Sequence, residues 1–148
     1  MKYLLQTSQK NHLLRLYIGE DILESLQKFC DHNSSIGFGR IQGIGAVSAA
    51  KLGFFDGTNY LINSYSENLE IVSLSGNISI DEEEGGHIVH IHGVFSRKDG
   101  SCIGGHIFPG CTVSATCEIQ IQVLEPKVVR KEDMITKLKL LELPNEIE

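Results

Sequence analysis

The sequence has little of what marks a disordered, membrane-spanning or strongly basic protein. It holds three prolines among 148 residues and 22% charged residues, so the composition excludes a largely disordered chain. No run approaches the ~20 consecutive apolar residues that a membrane helix needs, and we expect no membrane partner. The formal net charge of −6 argues against a domain that holds nucleic acid through a basic surface.

Export signals and paired cysteines are also missing. The first six residues contain neither a long apolar run nor a cleavage-like site, so we expect a cytoplasmic protein. No two of the four cysteines form a Cys-x-x-Cys pair, and we expect reduced thiols at Cys30, Cys102, Cys111 and Cys117. The length suits one domain that buries its own core.

The patterns that are present predict a sheet with one helix. An apolar stripe with helical spacing comprises Ile22, Leu23, Leu26, Phe29 and Cys30. From residue 37 to residue 124 nearly every segment has strand character, with glycine or asparagine between segments. The predicted fold class is therefore α+β: a largely antiparallel β-sheet with one main amphipathic helix packed on it.

Four further segments carry specific expectations. Residues 56–59 and the pair Gly76-Asn77 are typical of hairpin turns. The acidic run 81–84 is typical of a solvated loop. Residues 127–143 have a broken apolar pattern, which is compatible with either a short helix or a tail.

Three histidines form the most informative motif. His90 and His92 lie two residues apart in a strand pattern, so their imidazoles project from one face. A three-residue loop near Asp99-Gly100, or a bulge at 104–105, would bring His106 opposite His92, whereas a two-residue loop would turn it to the other face. Three imidazoles with an open position suit zinc or another divalent transition metal ion.

The residues alone leave alternatives to this site open. The three histidines could be ordinary strand residues with hydrogen bonds in or near the core, or the third ligand could come from another subunit. The remaining histidines, His12, His32 and His87, are remote or out of phase, and we expect them on the surface. A cupin-like metal site would need a glutamate about four residues after the His-x-His pair, and residues 93–98 contain no carboxylate.

Catalysis would need additional groups. A nucleophilic Cys102 or Cys111 would need a neighbouring base that lowers the thiol pKa, and we expect both cysteines in the core instead. A metal-bound water would need a base, for which Glu70, Glu118 and Asp99 are the candidates.

Short motifs follow one another along the chain at residues 43–47, 69–78, 90–93, 104–107 and 117–119. This ordered set, from about residue 3 to residue 124, resembles the PPC (plants and prokaryotes conserved) domain family. The resemblance implies a stand-alone prokaryotic member with a PPC-like domain at residues 1–125 and a C-terminal extension at 126–148. It also implies a long helix against the sheet, a homotrimer, and a metal site, usually zinc, at the positions of His90, His92 and His106.

The resemblance also raises DNA binding, because the family is often labelled so and its plant members carry an AT-hook. This sequence contains no Arg-Gly-Arg-Pro type segment, and its net charge of −6 disfavours DNA as a partner. We therefore predict a zinc-binding homotrimeric domain that acts as a binding or regulatory module for a protein or a small ligand. The alternative is a metal-dependent enzyme acting on a small ligand.

Overall fold

The computed structural model describes residues 2–5, 11–125 and 127–143, which contain ten strands and one helix. In chain order the elements are β1 (Lys2–Leu5), β2 (Asn11–Leu16), α1 (Ile22–His32), β3 (Gly39–Phe55), β4 (Tyr60–Tyr65), β5 (Leu69–Asp81), β6 (His87–Ser96), β7 (Cys102–Ile107), β8 (Thr112–Val123), β9 (Val129–Glu132) and β10 (Lys139–Glu142). Among these residues no helix is long and apolar enough to cross a membrane.

All ten strands belong to one sheet in the order β1-β2-β8-β3-β7-β6-β5-β9-β10, with β4 also paired to β3. The strand β3 is 17 residues long, and it pairs with β8, β5, β7 and β4 along its length. The pairing of β5 with β9 is parallel, and the other pairings of the sheet are antiparallel. The prediction of a largely antiparallel sheet is confirmed.

The core lies between one face of this sheet and α1. The helix begins after Asp21, whose side chain accepts a hydrogen bond from the Glu24 amide at 3.0 Å. It buries Ile22, Leu26 and Phe29 against the inner face of the sheet. At 11 residues the helix is shorter than the long helix that the family resemblance implies, so the α+β class holds only as a large sheet with one short helix.

The hairpin predicted at Gly76-Asn77 is wrong, because β5 runs unbroken from Leu69 to Asp81. Gly76 lies where β6 approaches closely, and a Cβ there would come within 2.2 Å of the His90 carbonyl oxygen. A glycine in a strand often marks such an approach instead of a turn. The hairpin predicted at residues 56–59 is confirmed, because β3 and β4 pair up to Phe55 and Tyr60.

The acidic run and the C-terminal extension also differ from expectation. Asp81 is buried, where its side chain accepts a hydrogen bond from the Glu83 amide at 3.0 Å and forms an ion pair with Lys139. Residues 82–84 are exposed, so the solvated-loop prediction holds for them alone. Residues 127–143 are neither a helix nor a tail, because β9 joins the sheet beside β5 and β10 pairs with β9.

Candidate metal centre

The β6–β7 hairpin places His92 directly opposite His106. The Arg97 amide donates to the Ser101 carbonyl at 2.8 Å, which leaves a three-residue loop that ends at Gly100. Gly100 has φ +82°, the left-handed conformation that three-residue hairpin loops need. The pairing runs through residues 104 and 105 without a register shift. The loop length, not a bulge, therefore aligns the histidines.

The three imidazoles lie together on the outer face of the sheet, the face turned away from the core. The centroids of the three rings are 5.1 to 5.2 Å apart, and the Nε2 atoms of His90 and His92 are 3.1 Å apart. One nitrogen from each of the three rings lies within 4.8 Å of the other two. Tetrahedral zinc with bonds of 2.0–2.1 Å sets its nitrogens about 3.4 Å apart. Small side-chain rotations would bring the three rings to that spacing.

Burial keeps these imidazoles neutral. Desolvation, with the charges of Arg130 and the neighbouring histidines, lowers the pKa of His90 to about 4. Desolvation, His92 and Arg130 likewise lower the pKa of His106 to about 4, and burial lowers the pKa of His92. The neutral imidazole is the form that binds a metal ion, so protons from solvent compete little for these rings at neutral pH.

Aromatic rings surround His106. Tyr60 and Phe108 lie with ring centroids 5.2 and 5.0 Å from it. Gly53, which pairs with His106 across β3 and β7, leaves space for these rings, since a Cβ there would meet a Phe108 ring carbon at 2.4 Å. The Nδ1 atom of His106 is buried and has no hydrogen-bond partner among the described residues. Such an atom is costly unless a ligand or water satisfies it.

Arg130, which the sequence analysis missed, completes the surroundings of the triad. It comes from β9 and is 4% exposed. Its Nε atom donates to Ser79 Oγ at 2.9 Å, and its Nη1 atom donates to the Lys139 carbonyl at 2.7 Å. Its Nη2 atom donates to Asn77 Oδ1 at 2.9 Å and to His90 Nδ1 at 3.0 Å. The β-branched pair Val128-Val129 before it was the available signal for a strand.

A cavity of about 240 Å³ opens beside the triad. His90, His106 and Arg130 line it, with Tyr60 on the side of β4. Much of the remaining wall is aliphatic and comes from Ile88, Val89, Leu138 and Leu140. The site therefore combines imidazoles, one guanidinium and an apolar wall.

The structure does not bring the carboxylates suggested as bases to the triad. Asp99 lies in the hairpin loop, where its side chain accepts hydrogen bonds from within that loop. Glu70 pairs with Ser96, four residues along β6 from His92, roughly 13 Å away at the usual strand rise. Glu118 lies on β8, three strand spacings from β6, or about 14 Å.

The cysteines are also remote from this chemistry. All four are free thiols. Cys102 is exposed, so its predicted core position is wrong, and it lies four residues along β7 from His106. Cys111 is buried as predicted, and burial raises the pKa of its thiol to about 11. A thiol with that pKa is not an activated nucleophile.

The remaining histidines lie outside the triad. His32 is exposed, as expected. The prediction for His12 is wrong, because it is 6% exposed and packs edge-on against Phe29 at 5.1 Å. His87 is half-buried, and its Nε2 atom donates to the Ile36 carbonyl at 2.9 Å.

Comparison with known proteins places these features in a family. Residues 3–125 match the model of the Plants and Prokaryotes Conserved (PCC) domain, the family whose motifs the sequence resembles. The bifunctional protein GlmU of Synechococcus sp. (strain JA-3-3Ab) is 34% identical over 125 residues. That match covers 83% of this chain and 19% of GlmU, so the chain spans about a fifth of the length of that relative.

Two crystal structures share the fold over nearly the whole chain. A candidate DNA-binding protein from Ralstonia eutropha JMP134 superimposes with a TM-score of 0.84 at 28% identity, covering 97% of this chain and 96% of that one. A metal-containing protein from Archaeoglobus fulgidus superimposes with a TM-score of 0.81 at 33% identity, covering 97% of this chain and all of the other.

Proposed function

The chain belongs to the Plants and Prokaryotes Conserved domain family, and on that premise we propose that it is a metal-binding homotrimer acting as a binding or regulatory module. His90, His92 and His106 hold the ion, which we take to be zinc or another divalent transition metal. When bound, such an ion supplies a positive charge and an open coordination position for a ligand.

The observation that carries this proposal is the convergence of three neutral imidazoles on one point of the outer face. The buried Nδ1 atom of His106, which has no hydrogen-bond partner among the described residues, also supports it. Such an atom costs free energy unless a ligand or an ion binds it. The metal-containing relative from Archaeoglobus fulgidus supports the metal as well.

A trimer is supported by apolar side chains exposed on the outer face. Leu13, Ile44 and Val72 are 46%, 58% and 52% exposed and line one depression of about 340 Å³. Polar side chains, Gln42, Glu118 and Gln120 among them, share this depression. Exposed apolar side chains bordered by polar ones are typical of an interface between subunits. We propose that copies of the chain cover it.

A metal-dependent enzyme acting on a small ligand is the second candidate. The cavity of about 240 Å³ beside the triad favours it. A hydrolytic reaction would still need a general base, and the described part of the chain places no carboxylate within reach of the three histidines. The module is therefore the preferred function.

Two further assignments belong to this proposal. The free thiols support a reducing compartment, and we place the protein in the cytoplasm. We also place the family domain at residues 1–125, with residues 126–148 as an extension that adds β9 and β10. DNA stays the disfavoured partner, because a net charge of −6 opposes binding to phosphates.

The proposal is tested by zinc titration of protein purified without a polyhistidine tag. The wild-type chain should bind one zinc ion per subunit, measured by calorimetry and elemental analysis. Each of His90→Ala, His92→Ala and His106→Ala should weaken zinc binding by a factor of at least about 100, because two imidazoles hold a divalent ion poorly.

His87→Ala is the matched control, since His87 lies on the same strand but bonds to the Ile36 carbonyl. It should keep wild-type zinc affinity. Equal loss of zinc in His87→Ala and His106→Ala would show that the three histidines are not the ligand set.

A further inference from the structure

The Arg130 guanidinium is a buried cation held by neutral groups only. Its four hydrogen bonds go to a hydroxyl, an amide oxygen, a backbone carbonyl and an imidazole nitrogen. No carboxylate in residues 2–5, 11–125 and 127–143 pairs with it. Buried charges in proteins are usually neutralised by a partner of opposite charge. Within the described part of the chain, the positive charge at the cavity wall therefore lacks a counter-charge.

Lys139, the other cation at this cavity, is already neutralised. Its Nζ atom forms an ion pair with Asp81 and lies 3.7 Å from Glu83 Oε2. An anion entering the cavity would thus meet Arg130 as the unpaired cation.

The hydrogen bond between Arg130 and His90 fixes the tautomer of that imidazole. An arginine can only donate, so His90 Nδ1 accepts from Arg130 Nη2 and the ring proton of neutral His90 lies on Nε2. That same Nε2 atom faces His92 at 3.1 Å. A metal ion on Nε2 would need this nitrogen without its proton.

Metal binding at His90 Nε2 therefore competes with the hydrogen bond from Arg130 Nη2 to His90 Nδ1. A neutral His90 that ligates through Nε2 carries its proton on Nδ1, where it would face the Nη2 donor of Arg130. Two donors cannot share that contact, so one N–H of Arg130 loses its acceptor when the metal binds. Both Arg130 and His90 line the cavity of about 240 Å³.

We propose that this cavity binds a small organic carboxylate, which accepts hydrogen bonds from Arg130, and that metal and carboxylate bind cooperatively. The inference rests on the proposed metal site. A carboxylate supplies the missing counter-charge and matches the planar guanidinium. The aliphatic wall from Val89, Leu138 and Leu140 suits a short hydrocarbon body, which inorganic phosphate lacks. The volume is below the roughly 300–1,000 Å³ of sites for drug-sized ligands, so the ligand is small.

The experiment titrates zinc into tag-free protein with no additive, with butyrate, with 1-butanol and with inorganic phosphate. Butyrate should tighten zinc binding about fivefold or more, the lower end of typical coupling between two ligands. Zinc should tighten butyrate binding by the same factor, because coupling is reciprocal. Neither 1-butanol, which lacks the charge, nor phosphate, which lacks the apolar body, should match it.

Arg130→Met separates this role from a structural one. The variant should lose the effect of butyrate and bind zinc alone more tightly than the wild type, since the competing hydrogen bond to His90 is gone. A residue with a purely structural role would weaken zinc binding instead. Lys131→Met, a change at an exposed neighbour on β9, should leave both quantities unchanged.

The outcomes distinguish the two proposals. Wild-type protein that binds no zinc would overturn the metal site and the carboxylate site together. Zinc binding without any butyrate effect would overturn the carboxylate site alone, and equal tightening by phosphate would overturn the choice of a carboxylate. If Arg130→Met does not fold, Arg130→Lys tests the role of the guanidinium. A comparison of acetate with butyrate in wild-type protein then tests the role of the aliphatic wall.

Discussion

At the residue scale, the environment of each imidazole decides whether protons or a metal ion occupy the site. An unperturbed histidine has a pKa near 6.5, whereas His90 and His106 are lowered to about 4. A lowered pKa means that the neutral, metal-binding form persists at more acidic pH. His90 and His106 should therefore resist protonation from pH 7 to about 5, and the lowered pKa of His92 acts in the same direction.

We predict that half of the zinc is lost well below pH 6.5, with the loss completed towards pH 4, where the His90 and His106 rings become protonated. The measurement is the zinc content of tag-free protein after dialysis at each pH, with circular dichroism to verify that the protein is folded. Half-loss of zinc near pH 6.5 would contradict the prediction, because it would indicate unperturbed imidazoles.

The individual residues of the site differ in how far the sequence could predict them. The spacing of His90 and His92 is a property of one strand, and it was enough to identify their common face. Arg130 bonds to Ser79 and Asn77, which lie 51 and 53 residues earlier in the chain. No local pattern encodes a contact of that range. The burial of His12 could have been predicted, because it alternates with the buried Leu14 and Leu16.

At the scale of strands, β5 and β6 approach closely at Gly76, which pairs with Ile91 between His90 and His92. We predict that Gly76→Ala destabilises the protein by about 2 kcal/mol or more, in the range of overpacked sites. The new methyl group would lie 2.2 Å from the His90 carbonyl oxygen and 2.7 Å from Ile91 Cα. The displacement of β6 should also weaken zinc binding. Urea unfolding and zinc titration measure the two effects.

Gly86→Ala is the control for this change, because a Cβ at Gly86 would meet no atom within 4 Å. It should alter stability by less than about 0.5 kcal/mol, as exposed substitutions usually do. Similar stability of the Gly76→Ala and Gly86→Ala variants would show that β5 and β6 are not closely packed at Gly76.

Whether a strand or turn could be predicted depends on whether residues near it in the sequence determine its conformation. The turn at residues 56–59 is held by Asp56, which accepts hydrogen bonds from the Thr58 and Asn59 amides, so its sequence predicts it. Gly76-Asn77 has the composition of a turn, but the neighbouring strand decides its conformation. The strands β9 and β10 have four residues each, too few for a periodic pattern.

At the scale of the whole molecule, the outer face of the sheet carries two features that the proposals use. The triad and its cavity lie at β6, β7 and β9. The depression with the exposed Leu13, Ile44 and Val72 lies at β2, β3, β5 and β8. Composition and length predicted one domain with a core of its own, but they contain no information on whether another chain covers part of the outer face.

The last prediction concerns the depression that we propose copies of the chain cover. In the proposed trimer, the double variant Ile44→Glu and Val72→Glu should dissociate into folded monomers, because burying two unpaired carboxylates beside Glu118 costs several kcal/mol. Light scattering at micromolar concentration should give the mass of three chains for the wild type and of one chain for the variant. Ile18→Glu is the control, since Ile18 is 72% exposed and lies outside the depression. It should stay a trimer. A trimeric double variant would move the interface elsewhere on the molecule, and a monomeric wild type would refute the trimer itself.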